Sequence, residues 1–185
     1  SQLRKVLPAG VLRTQPPGYL VAVEPEAVDA VRFGTLRNEG AAALAAGDVA
    51  TAATRLREAL ELWRGPPLAD VLFEGPARHE VGRLSELRLA TQIELFESEL
   101  ELGRHAPLIG ELELLVAAHP YQERLRALLM LALYRSGRQA EALAALQEAR
   151  HRLADELGLE PGPQLRELAR QILQHDPRLD GDHRS

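Results

Sequence analysis

The sequence predicts an all-α protein: a tetratricopeptide-like helical repeat of about seven helices, preceded by a short β-hairpin. Three observations carry that reading. Leu supplies 35 of the 185 residues and Ala 28, about a third of the chain together, and both are strong helix formers. Aromatic residues make up only 4%, and β-branched residues become scarce after residue 31. Gly and Pro punctuate the remainder at helix-length intervals.

The chain opens with Leu3, Val6 and Leu7 on one helical face, and Pro8-Ala9-Gly10 ends that helix. Val11-Leu12-Arg13-Thr14 and Tyr19-Leu20-Val21-Ala22-Val23 are β-prone runs. Between them Gln15-Pro16-Pro17-Gly18 is turn chemistry, since Pro fixes φ and Gly permits a positive one, so the runs read as a hairpin. A helix end and one hairpin bury too little surface to stand alone.

Helices follow without a break in character. Asp29 caps one that runs to about Ala46. Gly47-Asp48 breaks it, and a second runs from about Ala50 to Trp63, stopped by Gly65-Pro66-Pro67. Pro76 starts a long third helix reaching about Leu102, with Leu89, Ile93, Phe96 and Leu100 in one apolar stripe. After Gly103, a fourth covers about 105–118, with Leu108, Leu112 and Leu115 on one face. The fifth, about 121–136, is apolar all round from Ala127 to Tyr134, the mark of a buried helix. Gly137 ends it, and the sixth runs to about Leu157 with Ala142, Leu146, Ala149 and Leu153 facing inward. Gly158 and Pro161-Gly162-Pro163 precede a seventh, about 164–175, carrying Leu165, Leu168, Ile172 and Leu173. Residues 177–185 read as a flexible, solvated tail.

The helices pair, and the pairs repeat. Gly103 and Gly137 lie 34 residues apart, the tetratricopeptide period. Placing each interhelical glycine at one repeat position aligns Ala52, Leu56 and Ala59 with Leu108, Leu112 and Leu115, and with Ala142, Leu146 and Ala149. Gly40 then falls where paired helices approach closely, and Pro120 at the closing proline. Gly47 precedes Gly103 by 56 residues, so an insertion spans the Gly65 to Gly75 loop and lengthens the third helix. Trp63 is expected to tie that loop to the first pair as a hydrophobic anchor. Three stacked pairs make a right-handed solenoid with a concave face.

The net charge of −5 averages two unlike parts. Residues 1–23 carry Arg4, Lys5 and Arg13 and no acid, whereas residues 24–185 carry −8. A basic first segment can approach a phosphate backbone that the acidic body repels. Zero cysteine excludes disulfides, thiolate metal sites and cysteine nucleophiles. No apolar run reaches the roughly 18 residues that span a bilayer, and Ser1 to Val11 lacks the layout of a signal peptide, so a cytoplasmic protein with no membrane partner is expected. His79, His105, His119, His151, His175 and His183 form no H-E-x-x-H arrangement, and no Gly-rich phosphate loop or G-x-S-x-G occurs. Glu94, Glu97, Glu99 and Glu101 read as a solvated helix face rather than a carboxylate site. No enzyme, cofactor or metal is expected.

Ser1-Gln2-Leu3-Arg4-Lys5-Val6-Leu7, Val11-Leu12-Arg13-Thr14 and Pro17-Gly18-Tyr19-Leu20-Val21 resemble the C-terminal end of an OmpR-type winged helix-turn-helix. The rest resembles the bacterial transcriptional activator domain of SARP-type actinobacterial regulators. The resemblance rests on Asp29 to Phe33, Leu62-Trp63-Arg64-Gly65-Pro66-Pro67-Leu68, His119-Pro120-Tyr121-Gln122-Glu123, Leu133 to Leu143 through Tyr134-Arg135-Ser136-Gly137, and Leu153 to Gly158 with Glu160-Pro161-Gly162-Pro163. It implies three parts: a winged-helix remnant at 1–23, a tetratricopeptide-like activator domain at 24–176 and the tail at 177–185. It also implies a transcriptional activator whose helical domain positions a winged helix on promoter DNA and contacts RNA polymerase or a partner protomer. Arg4 and Lys5, at the end of the apparent recognition helix, would meet phosphates or base edges. Arg13 and Thr14, on the apparent wing, would meet phosphate or the minor groove, while Tyr19 and Leu20 pack the wing onto its domain. The front of the winged helix has no counterpart here, so the chain is expected to be a fragment that does not read DNA by itself. A stand-alone tetratricopeptide-like scaffold binding a protein in its concave face is the other reading.

Overall fold

A computed structural model describes Pro8, residues 10–65, Pro67 and residues 76–181. The expected first helix with Leu3, Val6 and Leu7, and most of the Gly65 to Gly75 loop, lie outside the described residues. Two antiparallel strands, β1 (Leu12–Gln15) and β2 (Gly18–Val21), form a two-stranded sheet. Seven α-helices follow among the described residues: α1 (Asp29–Ala45), α2 (Val49–Glu61), α3 (Pro76–Glu101), α4 (Ile109–Ala118), α5 (Glu123–Arg135), α6 (Gln139–Leu157) and α7 (Pro163–Leu173).

The hairpin register pairs Leu12 with Val21, Arg13 with Leu20, Thr14 with Tyr19 and Gln15 with Gly18. Its turn contains a cis Pro16–Pro17 peptide, and Gly18 does not adopt the positive φ that the sequence allowed it. Asp29 is the first helical residue of α1 rather than its cap, which is Val28. An acid in the first turn still opposes the positive end of the helix dipole, and Asp29 accepts from Arg64 Nη2 at 3.3 Å. A side-chain cap does appear one helix later: Asp48 accepts from the Thr51 backbone N–H at 3.0 Å and starts α2.

The repeat is visible in its turns. Gly47, Gly103 and Gly137 have φ of 76°, 74° and 75°. In each, the glycine N–H donates to the carbonyl three residues back (Leu44, Leu100, Tyr134) and the next N–H to the carbonyl five back (Ala43, Glu99, Leu133). Only glycine enters this left-handed region without a Cβ penalty. Gly137 has no neighbour within 4 Å of where a Cβ would stand, so close helix approach is not what demands glycine there. Close approach is real at Gly40, where a Cβ would lie 2.9 Å from Leu56 Cγ and Cδ2.

The pairs α1/α2 and α5/α6 pack side by side; α2 lies on α3, α5 on both α3 and α4, and α7 closes the stack against α5 and α6. One large core joins α3 to α7, built on Ile93, Phe96, Leu112, Leu125, Met130, Ala142, Leu165 and Ile172. A smaller one, Ala53, Leu56 and Leu95 flanked by Leu60 and Leu102, attaches the first pair. The expected stripe of α3 and the buried α5 are both present, but Leu173 is exposed.

Two departures have a physical cause. The end of the chain does not leave the body as a solvated tail at 177–181: Leu179 is buried, and Arg135 Nε donates to its carbonyl at 2.7 Å. The acidic stretch of α3 is not a solvated face either. Glu99 is buried, paired with Arg57 and, at 3.3 Å, with Arg104, and Glu94 accepts from Arg37 Nη2 at 2.9 Å. The C-terminal half of α3 runs between the two cores, so Glu94 and Glu99 meet arginines of neighbouring elements, while Glu101 stays exposed.

Candidate nucleic-acid and partner interfaces

Of the four residues expected to meet DNA, Arg4 and Lys5 lie outside the described residues. Arg13 and Thr14 sit on β1, both exposed. Successive strand residues face opposite sides. Arg13 therefore shares a face with Leu20, and Thr14 with Tyr19, Leu12 and Val21. The structure does not bring Arg13 and Thr14 to one surface; it offers a basic face and an aromatic, apolar face of one ribbon. Tyr19 is 65% exposed, Leu20 46% and Val21 54%. Among the described residues, then, the helical body does not cover the apolar side of the hairpin. Three elements follow in line: Ala22 donates to the Val11 carbonyl at 2.7 Å, a three-residue 3-10 turn spans Pro25–Ala27, and α1 begins at Asp29.

Trp63 packs on the first pair, while most of the loop it was expected to tie there lies outside the described residues. Its ring stands edge-on to Phe33 of α1 at 5.3 Å between centroids, and the Arg88 guanidinium of α3 covers it at 5.1 Å. It thus clamps the first pair to the long helix.

The helical body carries a groove that sequence reasoning did not single out. It measures about 260 Å³ and lies between α3, α5 and α7. Ala127, Leu128, Leu131, Leu165 and Leu168 form its floor, and Glu97 with Arg124 its rim. Arg124 donates from Nε and Nη2 to both Glu97 oxygens at 2.6 Å, and that carboxylate raises the guanidinium above its ordinary pKa. Glu123 accepts from the Gly162 N–H at 3.0 Å, fixing the entry to α7. The signal was present in the all-round apolar run of α5, which exceeds what one buried face needs. Its partner α7 is short and amphipathic, so the groove emerges only when the two meet. Among the described residues no group of three or more His, Asp or Glu could hold a metal ion, and no helix is long and apolar enough to cross a membrane.

Paired helices on a 34-residue period and three like left-handed turns define a tetratricopeptide-like helical-repeat protein. The chain belongs to the family described as the bacterial transcriptional activator domain, which matches residues 28–173. It is 50% identical over 181 residues to the regulatory protein AfsR of Streptomyces coelicolor, covering 97% of this chain and 18% of that protein. It is 45% identical over 170 residues to the regulatory protein DnrI of Streptomyces peucetius, covering 92% of this chain and 62% of that one. A solved structure, Mycobacterium tuberculosis EmbR in complex with a low-affinity phosphopeptide, superposes with a TM-score of 0.80 at 38% identity, covering 89% of this chain and 44% of that chain. The chain thus spans less than two thirds of each of these proteins. The resemblance to SARP-type regulators read from the residues is the relationship found.

Proposed function

We propose that this chain is the helical effector part of a transcriptional activator, working in the cytoplasm, that holds a winged helix on promoter DNA and presents its body to RNA polymerase or a second protomer. The observation that carries the reading is the exposed hairpin. A self-sufficient scaffold gains nothing from a ribbon that leaves Leu20 46% and Val21 54% exposed. A wing packed on its own domain explains Tyr19 and Val21, which share one face, and Arg13, with Leu20 on the other face, supplies a phosphate contact. Family membership and relatives named as regulatory proteins support the same reading. The mechanism is mechanical: the helical repeat fixes where the wing stands, and no bond is made or broken.

Footprinting and gel-shift titration of the complete gene product test it. Arg13→Ala should weaken operator binding at every sequence and reduce the salt slope by about one. The 185-residue chain by itself should bind DNA weakly and without sequence preference. Tight, sequence-selective binding by that chain, or an Arg13→Ala variant with unchanged affinity and salt slope, would sink the division of labour proposed.

A further inference from the structure

We propose that a cavity among the turns that follow α3, α5 and α7 binds a small molecule bearing a phosphate or carboxylate oxyanion. The cavity measures about 510 Å³ and is walled by His105, Tyr134, Arg135, Gln139, His175 and Asp180, with Gly137 at its edge. That volume falls within the range of small-molecule sites. Four chain segments converge there: the turn after α3, the α5–α6 turn, the end of α7 and the 3-10 turn at Pro177–Leu179.

The first argument is backbone. His175 has φ of 51° and is the one non-glycine residue with positive φ among the described residues. It occupies the same turn as Gly47, Gly103 and Gly137: its N–H donates to the carbonyl three back, Ile172, and the Asp176 N–H to the carbonyl five back, Gln171. Three times this chain fills that position with glycine. At the fourth a side chain stays despite the Cβ penalty, and it forms part of the cavity wall.

The second argument is polar supply. His105 Nδ1 is buried with no hydrogen-bond partner among the described residues. Arg135 spends Nε on the Leu179 carbonyl at 2.7 Å and Nη1 on the Leu100 carbonyl at 2.6 Å, which leaves Nη2 available at the cavity wall. Gln139 gives its amide nitrogen to the Ile172 carbonyl at 3.3 Å. Tyr134 adds a hydroxyl. The start of α6 adds backbone N–H groups without helical acceptors, and its N-cap Arg138 makes no side-chain cap. Among the described residues Asp180 is the single carboxylate on the wall, set against one guanidinium and two imidazoles. A donor-rich cavity with that balance selects an oxyanion.

The site is tested by following the imidazole proton signals of His105 and His175 by NMR in the 185-residue chain. Inorganic phosphate and acetate are added separately at constant ionic strength, with chloride as control. At least one of the two anions should move both signals saturably, and which one distinguishes a phosphate site from a carboxylate site. His175→Gly is the decisive variant, because glycine suits that turn. Its melting temperature without ligand should equal or exceed that of the parent. The response of His105 to the anion should weaken about tenfold or more. Rings that move no more in phosphate or acetate than in chloride would overturn the proposal, as would a His175→Gly variant that binds as tightly as the parent.

Discussion

A Cβ built at Gly137 finds open space, with nothing within 4 Å of it, yet the backbone there has φ of 75°. Any L-residue so placed costs about 1–2 kcal/mol. Gly137→Ala and Gly137→Leu should therefore lower stability by similar amounts in thermal or urea melts. Gly40 behaves differently, because its φ is ordinary and its Cβ would meet Leu56. There the loss should grow with side-chain size, from Ala to Leu, with overpacking of about 1–3 kcal/mol at the larger residue. Period arithmetic located both glycines, but repeat position by itself does not distinguish a turn conformation from a packing contact. Arg126 was invisible altogether. It stands just before the apolar run of α5 and is only 2% exposed, its Nη1 donating to the Ala145 carbonyl at 3.1 Å and its Nη2 buried without a partner among the described residues. Burial pushes its guanidinium below the ordinary arginine pKa. Arg126→Met should be neutral or stabilising, whereas Arg126→Ala should cost about 2–4 kcal/mol, as leaving a cavity does. Chemical denaturation of the two variants separates these outcomes.

Helix limits were legible because Gly, Pro and capping residues stop helices for local reasons. Every helix of the described residues begins and ends within a few positions of where those signals stand. What lay beyond local chemistry was missed. The segment after α7 has the composition of a tail, yet Asp176 caps a 3-10 turn at Pro177–Leu179, and Arg135, 44 residues away, grips its carbonyl. Asp176 accepts from the Arg178 guanidinium and from the Arg178 backbone N–H, which together lower its pKa from 3.8 to about 2. A carboxylate with a depressed folded pKa supports the fold above its unfolded value and withdraws that support as pH falls through the folded one. Acidification from about pH 4 towards pH 2 should thus loosen this turn, seen as Leu179 methyl signals moving to random-coil positions. Asp176→Asn should remove that pH dependence. Retention of it in the variant would assign the change to another group.

Taken as a whole, the molecule is held by two cores of unequal size. The large one unites α3 to α7, and the small one joins the first pair through Ala53, Leu56 and Leu95. The clamp of Trp63 between Phe33 and Arg88 and the ion pairs of Arg37 and Arg57 complete the join. Fewer buried apolar contacts hold the first pair, and partly exposed ion pairs contribute little each. Amides of α1 and α2 should therefore exchange with solvent through a lower-energy opening than those of α5, measurable by native-state hydrogen exchange. Equal protection in the two regions would mean that the repeat opens as one unit. The repeat itself could be read before any coordinates, since its period lies in the spacing of glycines. The groove and the ribbon's two faces could not, because each depends on which elements meet. Between the end of β2 and the start of α1 lie only the seven residues 22–28, three of them wound into a 3-10 turn. Fully drawn out, seven residues reach about 25 Å. Anything gripping the ribbon is therefore leashed to the repeat within that reach of about 25 Å.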